Sequence, residues 1–141
     1  MAVLIMFVDS HCHIDFPELA ERLPQILDTM QANQVSEALC VSVTLPEFPK
    51  VLALAETHSN IYASVGVHPD YEDTVEPSVA ELVKLAANQR IVAIGETGLD
   101  YYRLQGDLGW QRERFRVHIR ASRESGKPLI IHTRSASEDT L

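Results

Sequence analysis

The chain has 141 residues, 45% hydrophobic and 23% charged, with twenty acidic against twelve basic side chains for a formal net charge of −8. These values belong to an ordinary globular protein and exclude a disordered or collagen-like chain. The acidic balance argues against a protein that coats nucleic acid through its overall field.

The charge is uneven. Residues 1–100 carry fifteen Asp or Glu against four Lys or Arg, and residues 101–141 carry five against eight, which leaves room for a local anion site late in the chain. The longest apolar run, Val3 to Val8, has no basic region before it and no small-residue cleavage site after it. It reads as neither signal peptide nor membrane span, so a cytoplasmic protein with no membrane partner is expected. Cys12 and Cys40 show neither metal-site spacing nor secreted-domain density and are expected as reduced thiols.

Five short apolar runs predict strands at Val3–Val8, Ala38–Val43, Ile61–Val65, Ile91–Gly95 and Leu129–His132, with helical patterns between them. The first pattern aligns Leu19, Leu23, Ile26, Leu27 and Met30, with regular helix delayed to Pro24. Thr44-Leu45-Pro46-Glu47 and Ser78-Val79-Ala80-Glu81 are capping boxes for the second and third helices. A fourth helix is predicted from about Trp110 to Ser125, with Phe115, Ile119 and Ser122 inward and Gly126 and Pro128 as its stop. A last capping box, Ser135-Ala136-Ser137-Glu138, precedes Leu141 by three residues.

Strands alternating with helices imply an α/β fold with a parallel sheet of right-handed crossovers. The pattern serves an open doubly wound sheet or an arc of a closed barrel equally well. No Gly-x-Gly-x-x-Gly follows the first strand. A (β/α)8 barrel takes ~250 residues, so on the barrel reading the chain supplies the first five strands and about four helices of a partial barrel, as the N-terminal portion of one domain.

Polar residues gather just after the strand ends. His11 and His13 flank Cys12, and alternate residues of an extended chain point to one side, so both imidazoles can converge on one ion while Cys12 faces away. Glu96 stands at the end of a run that reads as fully buried, where a carboxylate is costly unless paired or metal-bound. His132 follows Leu129-Ile130-Ile131 and completes a His, His, Glu, His set. The rival readings are a salt bridge from Glu96 to Arg103 or Arg134 and a hydrogen-bonded rim role for His132.

His68, in Val65-Gly66-Val67-His68-Pro69, suits a hydrogen-bond donor to an anionic substrate better than a ligand. Arg134 suits bidentate phosphate recognition, with an ion pair to Glu138 as the rival. Arg112, Arg114, Arg116, Arg120 and Arg123 read as a solvated outer helix face, and His58 and His118 as structural.

With these residues in place, the chain resembles the TatD family of metal-dependent deoxyribonucleases, within the amidohydrolase-like metal hydrolases. The resemblance rests on Phe7-Val8-Asp9-Ser10-His11-Cys12-His13-Ile14-Asp15, Gly66-Val67-His68-Pro69, Ile94-Gly95-Glu96-Thr97-Gly98-Leu99-Asp100-Tyr101-Tyr102 and Pro128-Leu129-Ile130-Ile131-His132-Thr133-Arg134, in the family's order. It covers the chain from Phe7 onward, leaving Met1 to Ile5 as an extension.

The resemblance implies a (β/α)8 TIM barrel that hydrolyses phosphodiester bonds, often as a 3′ exonuclease, with DNA as substrate and RNA as the alternative. It implies two divalent ions, Mg, Mn or Zn. His11 and His13 would bind one, Glu96 would bridge both as the catalytic carboxylate, and His132 would bind the second, with His68 and Arg134 near the substrate phosphate. The family's later histidine ligand and the late Asp of its Thr-Asp-Ser-Pro motif, which completes the site, do not occur in these residues, so catalysis is expected to need more than they supply. Two other readings remain: a metal-dependent amidohydrolase, because a similar site activates water for carbonyl attack, and a non-catalytic metal-binding half-barrel that self-associates through its open edges.

Overall fold

The structure is a computed structural model that describes residues 6–141. Residues 1–5, which include the expected extension and the start of the first predicted strand, lie outside the described residues. In chain order the elements are β1 (Phe7–Cys12), α1 (Pro17–Ala20), α2 (Leu23–Ala32), β2 (Val35–Cys40), α3 (Phe48–Thr57), β3 (Ile61–Val65), α4 (Val79–Ala86), β4 (Ile91–Asp100), α5 (Gly109–Ser125), β5 (Leu129–Arg134) and α6 (Ser137–Thr140).

All five strands are parallel, and their order in the sheet is their order in the chain. A doubly wound sheet reverses direction at a switch point, and this one does not. The helices also contribute to one core on one face of the sheet. Ala38, Cys40, Ile61, Ala63 and Val65 meet Val51 and Ala55 of α3, Leu82 and Ala86 of α4, and Ala121 of α5 there. A parallel sheet covered on one side, in sequential order, curls into the wall of a barrel, and the chain forms a half-barrel of five strands. Phe7 and Val8 of β1 and Ile131 of β5, on the two edge strands, are about half exposed.

Several element boundaries depart from the sequence expectation. Among the described residues there are six helices rather than about four, because α1 and α6 are extra pieces of four residues each. β1 runs past Val8 to Cys12, and β2 begins at Val35 and ends at Cys40 rather than Val43. Val41, Ser42 and Val43 are buried although they lie beyond that strand. Ser78 caps α4, its hydroxyl accepting from Glu81 N–H at 3.1 Å. The Thr44 hydroxyl accepts from Glu47 N–H at 3.4 Å, but α3 starts only at Phe48. The last capping box does not form at the start of α6. α5 ends as expected, on Gly126 at φ +71°.

The largest departure concerns β4, which continues five residues beyond the predicted Gly95 and carries Glu96 inside the strand. Pairing with β5 resumes after an irregularity, matching Thr97 to Ile131, Gly98 to His132 and Asp100 to Arg134. The extension depends on a close backbone approach: a Cβ at Gly98 would lie 2.0 Å from the His132 carbonyl oxygen, and its φ of +134° disfavours any other residue.

Gly98→Ala should therefore destabilise the fold by more than the roughly 1–3 kcal/mol of backbone strain alone. Gly106→Ala, at φ +94° with nothing within 4 Å of the new Cβ, should incur only the strain. Equal urea midpoints for the two variants would refute the close-approach account.

Candidate metal centre

Glu96 organises the mouth of the half-barrel. Only 7% exposed, it has its backbone N–H donating to the Ser42 carbonyl at 3.0 Å. Its two carboxylate oxygens face different partners. Oε2 lies 3.1 Å from His11 Nε2 and 3.9 Å from His13 Nε2. Oε1 lies 3.3 Å from His132 Nδ1 and 3.8 Å from His68 Nε2.

The strands deliver these side chains from different heights. His11 is in β1 and His13 just past it, while His132 lies within β5; the expectation that the polar residues follow the strand ends holds only in part. His68 follows β3 by three residues, and its backbone N–H donates to the Val43 carbonyl at 2.9 Å. Arg103 pairs with Asp70 at 3.4 Å instead of Glu96. Arg134 stacks over the Tyr102 ring at 4.0 Å, and among the described residues it makes no ion pair with Glu138 or Glu96. A cavity of about 470 Å³ opens here, lined by His13, His68, Glu96, Asp100, His132 and Arg134 among others.

Hydrogen bonds decide which ring nitrogens are free to ligate. His13 donates from Nδ1 to the Val41 carbonyl at 3.0 Å, leaving the Nε2 lone pair toward Glu96. His132 donates from Nε2 to the Asp100 carboxylate at 2.9 Å, leaving Nδ1 toward Glu96 and His68. His68 accepts from Asp70 N–H at Nδ1, so its proton sits on Nε2, 3.2 Å from His132 Nδ1. That side therefore combines one lone pair with one N–H donor. Burial lowers the His68 pKa to about 4, so the ring is neutral at pH 7. Two groups lie close enough for an ion, His11, His13 and Glu96, and His68, Glu96 and His132, the atoms of each within 4.8 Å of one another; in the second the protonated His68 Nε2 leaves Glu96 and His132 Nδ1 as the available ligands. Mixed imidazole and carboxylate donors suit Zn, Mn and related divalent ions.

Sequence reasoning missed several residues that support this arrangement. Asp100 lies in the polar cluster after the fourth predicted strand, but nothing in the pattern marks it as the orienter of His132. Burial pushes its pKa up, yet the N–H groups of Arg103 and Tyr102 and the His132 ring bring it down to about 2. Arg114 does not belong to a solvated face: it is 2% exposed and pairs with Glu76 and the His68 carbonyl. The other α5 arginines fit the expectation better, Arg116 and Arg120 meeting Glu113 near the surface. Cys12 packs toward the helix-facing core, away from the histidines that flank it.

The fold and the donor groups define a half-barrel of the β/α type with a metal-competent centre at the strand mouths. A family model described as TatD related DNase matches residues 8–141. The chain is 40% identical over 141 residues to the uncharacterized metal-dependent hydrolase YcfH of Escherichia coli K12, covering 97% of this chain and 52% of that protein. It is 37% identical over 142 residues to the uncharacterized metal-dependent hydrolase TatD of Mycobacterium tuberculosis, covering 95% and 54%. The crystal structure of the E. coli TatD homolog YjjV superposes with a TM-score of 0.86 at 28% identity, over 98% of this chain and 54% of that one. The chain belongs to the TatD family, and it spans about half the length of the curated relatives it matches. No described helix is long and apolar enough to cross a membrane.

Two histidines, His118 buried and His68 half-buried, set a pH dependence. His118, like His68, is lowered by burial to about 4, whereas a free histidine titrates near 6.5. Between those values the unfolded chain binds protons that the native chain does not, so stability is full above about pH 6.5 and falls as pH drops toward 4. Urea unfolding should show a loss on the order of several kcal/mol over that window, with a shallower slope in His118→Gln. A midpoint independent of pH in the parent chain would contradict it.

Proposed function

We propose that these residues form one half of the active centre of a metal-dependent phosphodiesterase, a deoxyribonuclease that removes nucleotides from 3′ ends. The observation that carries the reading is the division of the Glu96 carboxylate between two histidine groups, one oxygen to each. A carboxylate placed this way would suit two cations, one at each oxygen, and without such partners a buried carboxylate is costly.

In this reading His11 and His13 would hold one divalent ion, His132 would hold the second, and Glu96 would contribute to both. Ions bound there lower the pKa of a coordinated water and neutralise charge that develops on phosphate oxygens. The chain's own groups do the rest. His68, neutral with its proton on Nε2, donates to a phosphate oxygen, a contact an imidazole can make without a net charge. Arg134 offers two parallel N–H groups to the same anion, and its stacking on Tyr102 holds the guanidinium plane at the cavity rim. The Asp100 carboxylate and the Val41 carbonyl keep His132 and His13 in the tautomers that leave the required lone pairs free.

The family description as a DNase and the donor and cation at the rim favour a phosphodiester over an amide. The native gene product, loaded with Mn2+, should shorten 3′-labelled single-stranded DNA, and Glu96→Gln should reduce that activity by at least about 100-fold, the scale of losing a metal-bridging carboxylate. A chelator should abolish it, with recovery on adding metal. Turnover of a cyclic amide with the DNA left intact would replace this reading with the amidohydrolase one. A stable oligomer that binds metal and hydrolyses neither would leave a non-catalytic module.

A further inference from the structure

α5 turns a polar face toward the sheet where an amphipathic helix normally turns an apolar one. Gln111, Arg114 and His118 stand at i, i+3 and i+7, on one side of the helix, and are 0%, 2% and 0% exposed. Burying three such groups is costly unless each finds partners, and all three find them in the backbone of two segments. The His118 Nε2 accepts from Val67 N–H at 2.9 Å, its tautomer set by donation from Nδ1 to the Arg114 carbonyl at 2.8 Å. Arg114 donates to the His68 carbonyl at 2.9 Å while Glu76 holds the other edge of its guanidinium. The Gln111 amide accepts from Asp100 N–H at 3.0 Å and donates to the Pro69 and Asp100 carbonyls, each at 3.2 Å.

The bonded segments are the one that carries His68 and the one that carries Asp100, the residue that orients His132. The other side of Glu96 receives nothing from this row, because His13 is fixed by the Val41 carbonyl instead. We infer that Gln111, Arg114 and His118 are positioning residues that set the His68–His132 side of the centre independently of the His11–His13 side. Hydrogen-bonded amide, guanidinium and imidazole groups at these depths fix distance and direction in a way that apolar packing, which slides, does not. The inference rests on the reading of Glu96 as a bridge between two cation positions only for its consequence: loss of the row weakens one position and spares the other.

The test uses the 15N-labelled chain and long-range 1H–15N spectra that resolve each imidazole, first without metal and then during titration with Zn2+. In Arg114→Lys, Gln111→Leu and His118→Leu the ring signals of His68 and His132 should shift while those of His11 and His13 stay in place. The Zn2+ affinity read from the His132 signals should fall about 10- to 100-fold, the usual scale for losing a group that orients a ligand, and the affinity read from the His11 and His13 signals should not change. His118→Gln, which keeps an acceptor near the Nε2 position, should restore the parent signals, and Arg116→Ala on the exposed side of the same helix should leave them untouched. If Arg114→Lys and His118→Leu fold but His68 and His132 keep the parent signals, or if all four histidines move together, the row is only structural and the inference falls. If the parent chain binds no Zn2+ at either group, the cation reading fails by itself, while the metal-free spectra still decide the row.

Discussion

A buried carboxylate at the centre of four imidazoles is the constraint around which the rest of this half-barrel is arranged. Glu96 sits inside β4 at 7% exposure, where an isolated charge would be costly. Its partners come from β1 and β5 and from the segments that follow β1 and β3, which bring histidine nitrogens to within 4 Å of its oxygens. Bringing the strands that close requires backbone to pass backbone: a Cβ on Gly66 would lie 2.6 Å from the Gly95 Cα. The polar lining below follows, with Ser64 donating to the Gly95 carbonyl at 2.6 Å and accepting from Ser42 N–H at 3.1 Å.

The two faces of the sheet accordingly do different work. The helix-facing side is a conventional apolar core of Ile, Val, Leu and Ala from every crossover, and it supplies the hydrophobic driving force. The inward side combines apolar side chains such as Leu39, Tyr62 and Val92 with the hydrogen bonds near the strand mouths that hold the centre. α5 is the exception that connects them, because Phe115 and Ala121 pack apolar surface while Gln111, Arg114 and His118 reach past the core to the segments carrying His68 and Asp100. A helix that serves both purposes has low apolar periodicity, and for that reason its function is hard to see in one dimension.

Legibility followed from how local each determinant is. β3 matched its predicted residues because Ile61–Val65 is a short run whose Ile61, Ala63 and Val65 are buried against the helices, and α5 ended where Gly126 permits a positive φ. β4 was cut short at Gly95 because a glutamate and a second glycine look like the start of a loop; only pairing with β5 carries the strand to Asp100. Arg114 looked like its exposed neighbours because a helix of alternating arginines does not reveal which one meets a carboxylate from another segment.

The amino-acid sequence by itself determined the residue types of the centre and the alternation of strand and helix, since imidazole pairs at i, i+2 and apolar runs at regular intervals are properties of neighbouring residues. The tertiary structure alone decided that the sheet is a barrel wall, that Glu96 divides its two oxygens between histidine pairs, and that Asp100 and the α5 row hold one of those pairs. These depend on strand order and on contacts between segments dozens of residues apart, such as Glu96 with His11 across 85 positions. The free energy that places such groups belongs to the closed packing of the whole sheet and to no stretch of chain within it.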